Sequence, residues 1–301
     1  MSLAVNNQTI IKNNQKPQMN TTFKANPIVT TNTLERTTAT DTLVKPAENK
    51  TKKTLLTLSA IILAGVGIFA AVKAGKAHQQ KKAIQEIEKK FADLQGDIPK
   101  VQKTFKEVFL REDLTEKEAI EMLNRYKEVE KIGITGKKED YIEALFKETK
   151  KNHNLGEGLL MEWCPYSSKT RIADNMSLTD TIIFNSNASI EDLRTAVFHE
   201  LRHAKQDYIV INYDVEKFFK AWKVKNKEHI IPYLQRKCGI TNFNKTNNPR
   251  GLDDYIKKCL DGYENYVSPS ENAELYYKNF LEVDARKAQT LMLDLFGKIT
   301  N

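Results

Sequence analysis

Cysteine and histidine are both scarce in this chain of 301 residues. The three cysteines, Cys164, Cys238 and Cys259, are an odd number and form no C-x-x-C pair. The count and spacing suggest neither a disulfide framework nor a cysteine metal site, which fits a reducing compartment. Aromatic residues are not interleaved with the basic ones as on a nucleic-acid surface. The formal charge of +8 arises instead from single lysines scattered among glutamates, the pattern of solvated helix faces. No nucleic-acid partner is expected. Residues 1–53 lack apolar periodicity and are rich in Asn, Thr, Lys and Gln. Such a segment cannot bury enough apolar surface to offset the entropy of ordering it, so a disordered N-terminal tail is expected there.

Charge is missing from one further stretch. "TLLTLSAIILAGVGIFAAV", residues 54–72, holds no ionisable side chain and is flanked by lysines. As a helix rising about 1.5 Å per residue it would come close to the roughly 30 Å of a bilayer core. The polar segment before it is too long for the n-region of a signal peptide, and no small-residue cleavage site follows. A single transmembrane helix and a single-pass membrane protein are expected. Orientation is nearly balanced, with Lys45, Lys50, Lys52 and Lys53 on one side and Lys73, Lys76, Lys81 and Lys82 on the other. Lys89 and Lys90 tilt it towards a cytoplasmic C-terminal part.

Beyond the anchor the periodicity is helical. Ile84, Ile87, Phe91 and Leu94 share a face before Gly96 and Pro99 stop the helix. Val101, Phe105 and Val108 mark a second helix. Ile120, Leu123 and Val129 mark a third, opened by a capping box from Thr115 to Glu118. Tyr141, Leu145 and Phe146 mark a fourth. Residues 78–155 thus read as a helical stalk or N-terminal lobe. From residue 156 the pattern changes: "GLLMEWC" and "TIIFN" are short apolar runs between turn residues, hence strands. Helices resume at Ile190 and end in a long segment expected from Glu271 to about Lys298. Residues 156–301 then form an α+β domain, mostly helical around a small sheet.

Of the five histidines, two stand four residues apart in "IEDLRTAVFHELRHAKQ". Ile190, Leu193, Val197, Leu201 and Ala204 form a helical stripe, with Ser189 as N-cap and Asp192 as its return partner. On that helix His199 and His203 lie one turn apart and can reach one ion. His199-Glu200-Leu201-Arg202-His203 fits H-E-x-x-H. In that motif two neutral imidazoles ligate zinc, and the glutamate, beside the metal but not bound to it, takes a proton from the zinc-bound water. Arg202 reads as a surface or structural residue. A catalytic zinc needs a third protein ligand. The longer H-E-x-x-H-x-x-G-x-x-H form is excluded, because Gln206 and Ile209 occupy its last two key positions.

In "YYKNFLEVDARKAQ", Glu282-x-x-Ala285 resembles the second helix of gluzincin-type membrane and bacterial metallopeptidases, E-x-x-A-[DN]-x-x-A. The resemblance covers two short motifs, about thirty residues. It implies a zincin-like catalytic domain, Glu282 as third zinc ligand, Ala285 as the small residue that admits this helix beside the first, and Lys287-Ala288 as the following turn. Glu274, Glu264 and His229 are the other candidates for the ligand. The chain departs from the pattern at Arg286, where such enzymes often carry an aspartate that orients a histidine; a cation cannot accept an imidazole N–H. Asp284 or a backbone carbonyl would have to serve. An oxyanion donor could come from Tyr276, Tyr277, Tyr263 or His229. Thr181–Asn185, just before the metal helix, is expected to be the edge strand along which a peptide substrate lies.

These features lead to two expectations of different class. One is a membrane-anchored zinc metallopeptidase acting on a peptide or protein substrate, with Glu200 as base. The other is a membrane-tethered binding or regulatory protein that keeps the zincin fold without hydrolysis. A retained glutamate in the motif favours the enzyme.

Overall fold

The structure, a computed structural model, describes residues 75–166, 172–239 and 251–297. The expected tail and transmembrane segment lie outside these residues. Among the described residues no helix is long and apolar enough to cross a membrane.

Four helices come first: α1 (75–95), α2 (Ile98–Phe109), α3 (Glu116–Thr135) and α4 (Lys138–Asn152). Their starts follow local chemistry. Pro99 sits in the first turn of α2, where its missing N–H costs nothing. Thr115 and Glu118 close the expected capping box on α3, each side chain bonding the other's backbone N–H. Three short strands follow, β1 (Leu160–Cys164), β2 (Ala173–Asn175) and β3 (Thr181–Asn185). Then come α5 (Ile190–Ala221), α6 (Ile231–Cys238), α7 (Asp253–Glu264), α8 (Ala273–Lys278) and α9 (Phe280–Phe296).

The sheet order is β1-β3-β2, with β1 parallel and β2 antiparallel to β3. β3 is therefore paired on both sides, which corrects the expectation that Thr181–Asn185 is an edge. The free edge towards the histidines belongs to β2. A second correction concerns the C-terminal helix, which is broken at Asn279. That residue's side-chain oxygen accepts from Leu281 N at 2.9 Å and caps α9, while α8 ends just before it.

α5 is also interrupted. Asp214 has extended backbone angles (φ −161°, ψ 96°) and its carboxylate accepts from Lys217 N at 3.0 Å, so it caps a second helical segment. The two segments serve two cores. One core joins Phe91, Phe105, Tyr126, Tyr141 and Leu145 of the early helices to Phe184 of β3, Leu193 to Ala204 of α5, and Met292 and Phe296 of α9. Phe296 stacks on Phe91, with ring centroids 5.6 Å apart. Residues on both sides of position 155 thus share one hydrophobic core. The other core gathers Ile209 to Ala221 of α5 with Leu234 of α6, Ile256 and Cys259 of α7, and Leu281. The first half of α5, carrying the H-E-x-x-H residues, is held between the sheet and α9.

Candidate metal centre

His199 and His203 emerge from the same face of α5, as i,i+4 residues must. Glu282 meets them from the first turn of α9, three residues after the Asn279 cap, where the helix N-terminus favours a carboxylate. Its approach depends on two small residues. Ala285 is fully buried and lets α9 close on α5. Gly262 of α7 lets the α8–α9 junction settle, since a Cβ there would lie 2.9 Å from Leu281 Cγ and 3.0 Å from Asn279 Oδ1. The carbonyl of Gly262 accepts from Asn279 Nδ2 at 2.9 Å.

The three side chains converge. His203 Nε2 lies 3.1 Å from His199 Nε2, and Glu282 Oε1 and Oε2 lie 3.4 Å from His203 Nε2 and His199 Nε2 respectively. A tetrahedral ion with bonds of about 2.0–2.1 Å requires ligand-to-ligand separations of about 3.3 Å. The donor set and its spacing suit a small divalent metal ion. This trio is also the one cluster of at least three His, Cys, Asp or Glu residues among those described that is placed to hold a metal ion. Of the alternatives, Glu264 and His229 are exposed, and Glu274 is engaged with Lys278 at 2.6 Å. None of the three faces the histidines.

Burial alone would raise the pKa of Glu282, but hydrogen bonds from His199 and His203 and their charge hold it well below the carboxylate range. For His203, burial disfavours the charged form; the hydrogen bond and charge of Glu282 outweigh it and push the imidazole up to about 9. Arg286 reaches Glu282 Oε2 at 3.5 Å from i+4 and stacks over the ring of Tyr277. The helix pair allowed by the spacing does form, yet Glu282 is 2% exposed and faces the histidines.

Orientation of His203 falls to a residue that sequence reasoning passed over. Gln206 Oε1 lies 2.8 Å from His203 Nδ1, while Gln206 Nε2 donates to Leu281 O at 3.0 Å and Asp284 Oδ2 at 2.8 Å. With the amide nitrogen committed to two oxygens, the carbonyl must accept from the imidazole. Nδ1 then holds its proton, and Nε2 is the nitrogen whose lone pair becomes available to a metal when the imidazole is neutral. Asp284 acts one step further out than expected. It accepts from Arg202 Nε and Nη2, each at 2.7 Å, and from Tyr255 OH at 2.7 Å. Arg202 is buried and also donates to Val108 O at 2.6 Å, so its role is structural.

Glu200 stays out of the trio. Its Oε2 accepts from the backbone N of Asn175, on the free edge of β2, at 2.7 Å. It borders two depressions. One, of about 280 Å³, is lined by His203, Gln206, Trp222, Tyr263 and Tyr266 among others. The other, of about 760 Å³, runs along Thr195, Ala196 and Ser268 to Ser270. Both share Ala173, Asp174, His199, Glu200 and Tyr276, so the cleft continues across the site.

Among the four candidate oxyanion donors, Tyr276 lines both depressions. Tyr263 OH is committed to Asp207 at 2.8 Å, Tyr277 is exposed beside Arg286, and His229 is exposed. Burial, and then the Glu282 carboxylate, push the phenols of Tyr276 and Tyr266 up, keeping both as donors. Tyr266 and Trp222 carry no signal in the sequence beyond being aromatic. No protein family, curated protein or solved structure matches the chain.

Proposed function

We propose that this protein is a zinc-dependent metallopeptidase, anchored to a membrane through residues 54–72. The observation that carries the reading is the meeting of His199, His203 and Glu282 at metal-ligand spacing with Glu200 beside them and outside the set. A zinc ion bound there would supply a Lewis acid for a water molecule and for the scissile carbonyl. The chain's own groups do the rest. Glu200 takes a proton from the water as its oxygen attacks the carbonyl carbon. The same carboxyl group returns that proton to the amine nitrogen as the C–N bond breaks. Tyr276 donates its phenolic hydrogen to the developing oxyanion.

A peptide is the substrate class that suits the cleft. The cleft runs along both sides of the site and is bordered by β2, the strand at that edge of the sheet, so a substrate of extended shape can lie across the histidines. Elemental analysis of purified protein tests the metal assignment. One zinc per chain is expected for the wild type, with loss in His199→Ala, His203→Ala and Glu282→Ala. Full zinc occupancy in Glu282→Ala would refute the ligand set.

A further inference from the structure

Asp207 and Lys237 form a buried ion pair two helical turns from Glu200, with Nζ 2.7 Å from Oδ2 and both side chains almost wholly excluded from solvent. Such a pair adds little to stability that apolar side chains of the same volume would not. Its surroundings point to another role. Lys237 Nζ also donates to Asn175 Oδ1 at 3.0 Å, and Asn175 Nδ2 donates to Asp207 Oδ2 at 3.1 Å. Tyr263 OH satisfies the other oxygen of Asp207 at 2.8 Å. The amide of Asn175 is thus gripped at both ends.

Asn175 is the residue whose backbone N–H holds Glu200. The ladder bonds at the two ends of β2, Asn185 N to Ile172 O and Met176 N to Thr181 O, face β3, so the antiparallel alternation turns the N–H of Asn175 towards α5. β2 is only three residues long and has one partner strand, too little pairing to fix that N–H by itself. The lysine end of the grip is firmly placed. Gly156 N donates to Lys237 O at 3.0 Å, and any Cβ on Gly156 would lie 2.6 Å from Arg236 O, so that loop closes directly on the end of α6.

We propose that Asp207, Lys237 and the Asn175 side chain are positioning residues that fix the β2 backbone N–H against Glu200 and so aim the base. The role in hydrolysis rests on the metallopeptidase reading; the grip on Asn175 does not. The test uses the purified full chain and two variants. Asn175→Ala leaves the ion pair intact, and Lys237→Met combined with Asp207→Asn removes both charges together, leaving none buried alone. Hydrogen exchange of the β2 amides, read by mass spectrometry, is measured alongside zinc content and peptide hydrolysis. In the double variant the Asn175 amide should exchange at least about tenfold faster. With zinc retained, kcat should fall about tenfold or more in both variants while KM moves less than about threefold. A merely structural role would lower zinc content and melting temperature in step with activity, and would leave no separate loss in kcat. If exchange at Asn175 and kcat both stay within about twofold of wild type, the proposal is wrong. If wild type cleaves no peptide, the hydrolase reading falls, and exchange alone decides the grip: faster upholds it, unchanged overturns it.

Discussion

Asp284→Asn probes the layer behind the proposed metal ligands. The carboxylate accepts four hydrogen bonds, two from Arg202 and one each from Tyr255 and Gln206, all between 2.7 and 2.8 Å. The Arg202 side chain is 4% exposed, so removing its counter-charge strands a guanidinium in the interior. Breaking a buried pair in this way costs about 3–5 kcal/mol. The asparagine also keeps only one acceptor oxygen for four donors. Arg202, as the charged donor, will hold that oxygen, and Gln206 keeps only Leu281 O of its two anchors. His203 then loses a fixed proton on Nδ1, which typically weakens metal affinity by about 10- to 100-fold. Urea unfolding measured without zinc reads the first effect, and competition against a chromophoric chelator reads the second. A variant that unfolds within about 1 kcal/mol of wild type and binds zinc equally well would refute the chain from Asp284 through Gln206 to His203.

Ala285→Leu should overpack the α5–α9 contact, costing about 1–3 kcal/mol and moving Glu282 away from the histidines. Lower zinc occupancy with a reduced melting temperature is expected, and unchanged occupancy would count against the role of this alanine. The metal-free protein should also respond to pH through His203. Its folded pKa, about 9, lies above its ordinary value of 6.5, so the ion pair with Glu282 contributes fully below about pH 6.5 and is lost as pH rises through about 9. Thermal melts without zinc should show that fall in wild type and not in His203→Asn; identical slopes would contradict it. Zinc affinity should run the opposite way, rising over the same window as the imidazole gives up its proton.

The helices and their caps were legible because apolar spacing and cap chemistry are local. Thr115 with Glu118, and Ser189 beneath α5, sit where the sequence places them. The histidine pair was legible for the same reason, since i and i+4 positions fix relative direction without tertiary information. Glu282 was reached only through a likeness of motif, because nothing local tells a buried helix carboxylate from one paired at i+4 with Arg286. Strand order was not legible at all. Thr181–Asn185 alternates in the same way whether it has one partner or two, and the edge strand beside the site, Ala173–Asn175, is three residues with one small apolar side chain. The break at Asn279 lacks the proline or glycine that would announce it; Asn279 shows itself as a cap only when Gly262 comes beneath it. Gln206 gave only one clue, its place one turn beyond His203. Its partners, Leu281 O and Asp284, arrive from 75 and 78 residues away.

The most direct measurement compares zinc-loaded wild type with Glu200→Gln in a peptide-library cleavage assay, with zinc stoichiometry determined on the same samples. Glu200 touches no member of the ligand trio at bonding distance and anchors instead to Asn175 N, so the glutamine variant should carry one zinc per chain. It should cleave nothing that the wild type cleaves, because an amide cannot take the proton from water. Near wild-type turnover by the glutamine variant, or a wild type that binds zinc and leaves every peptide intact, would contradict the metallopeptidase assignment.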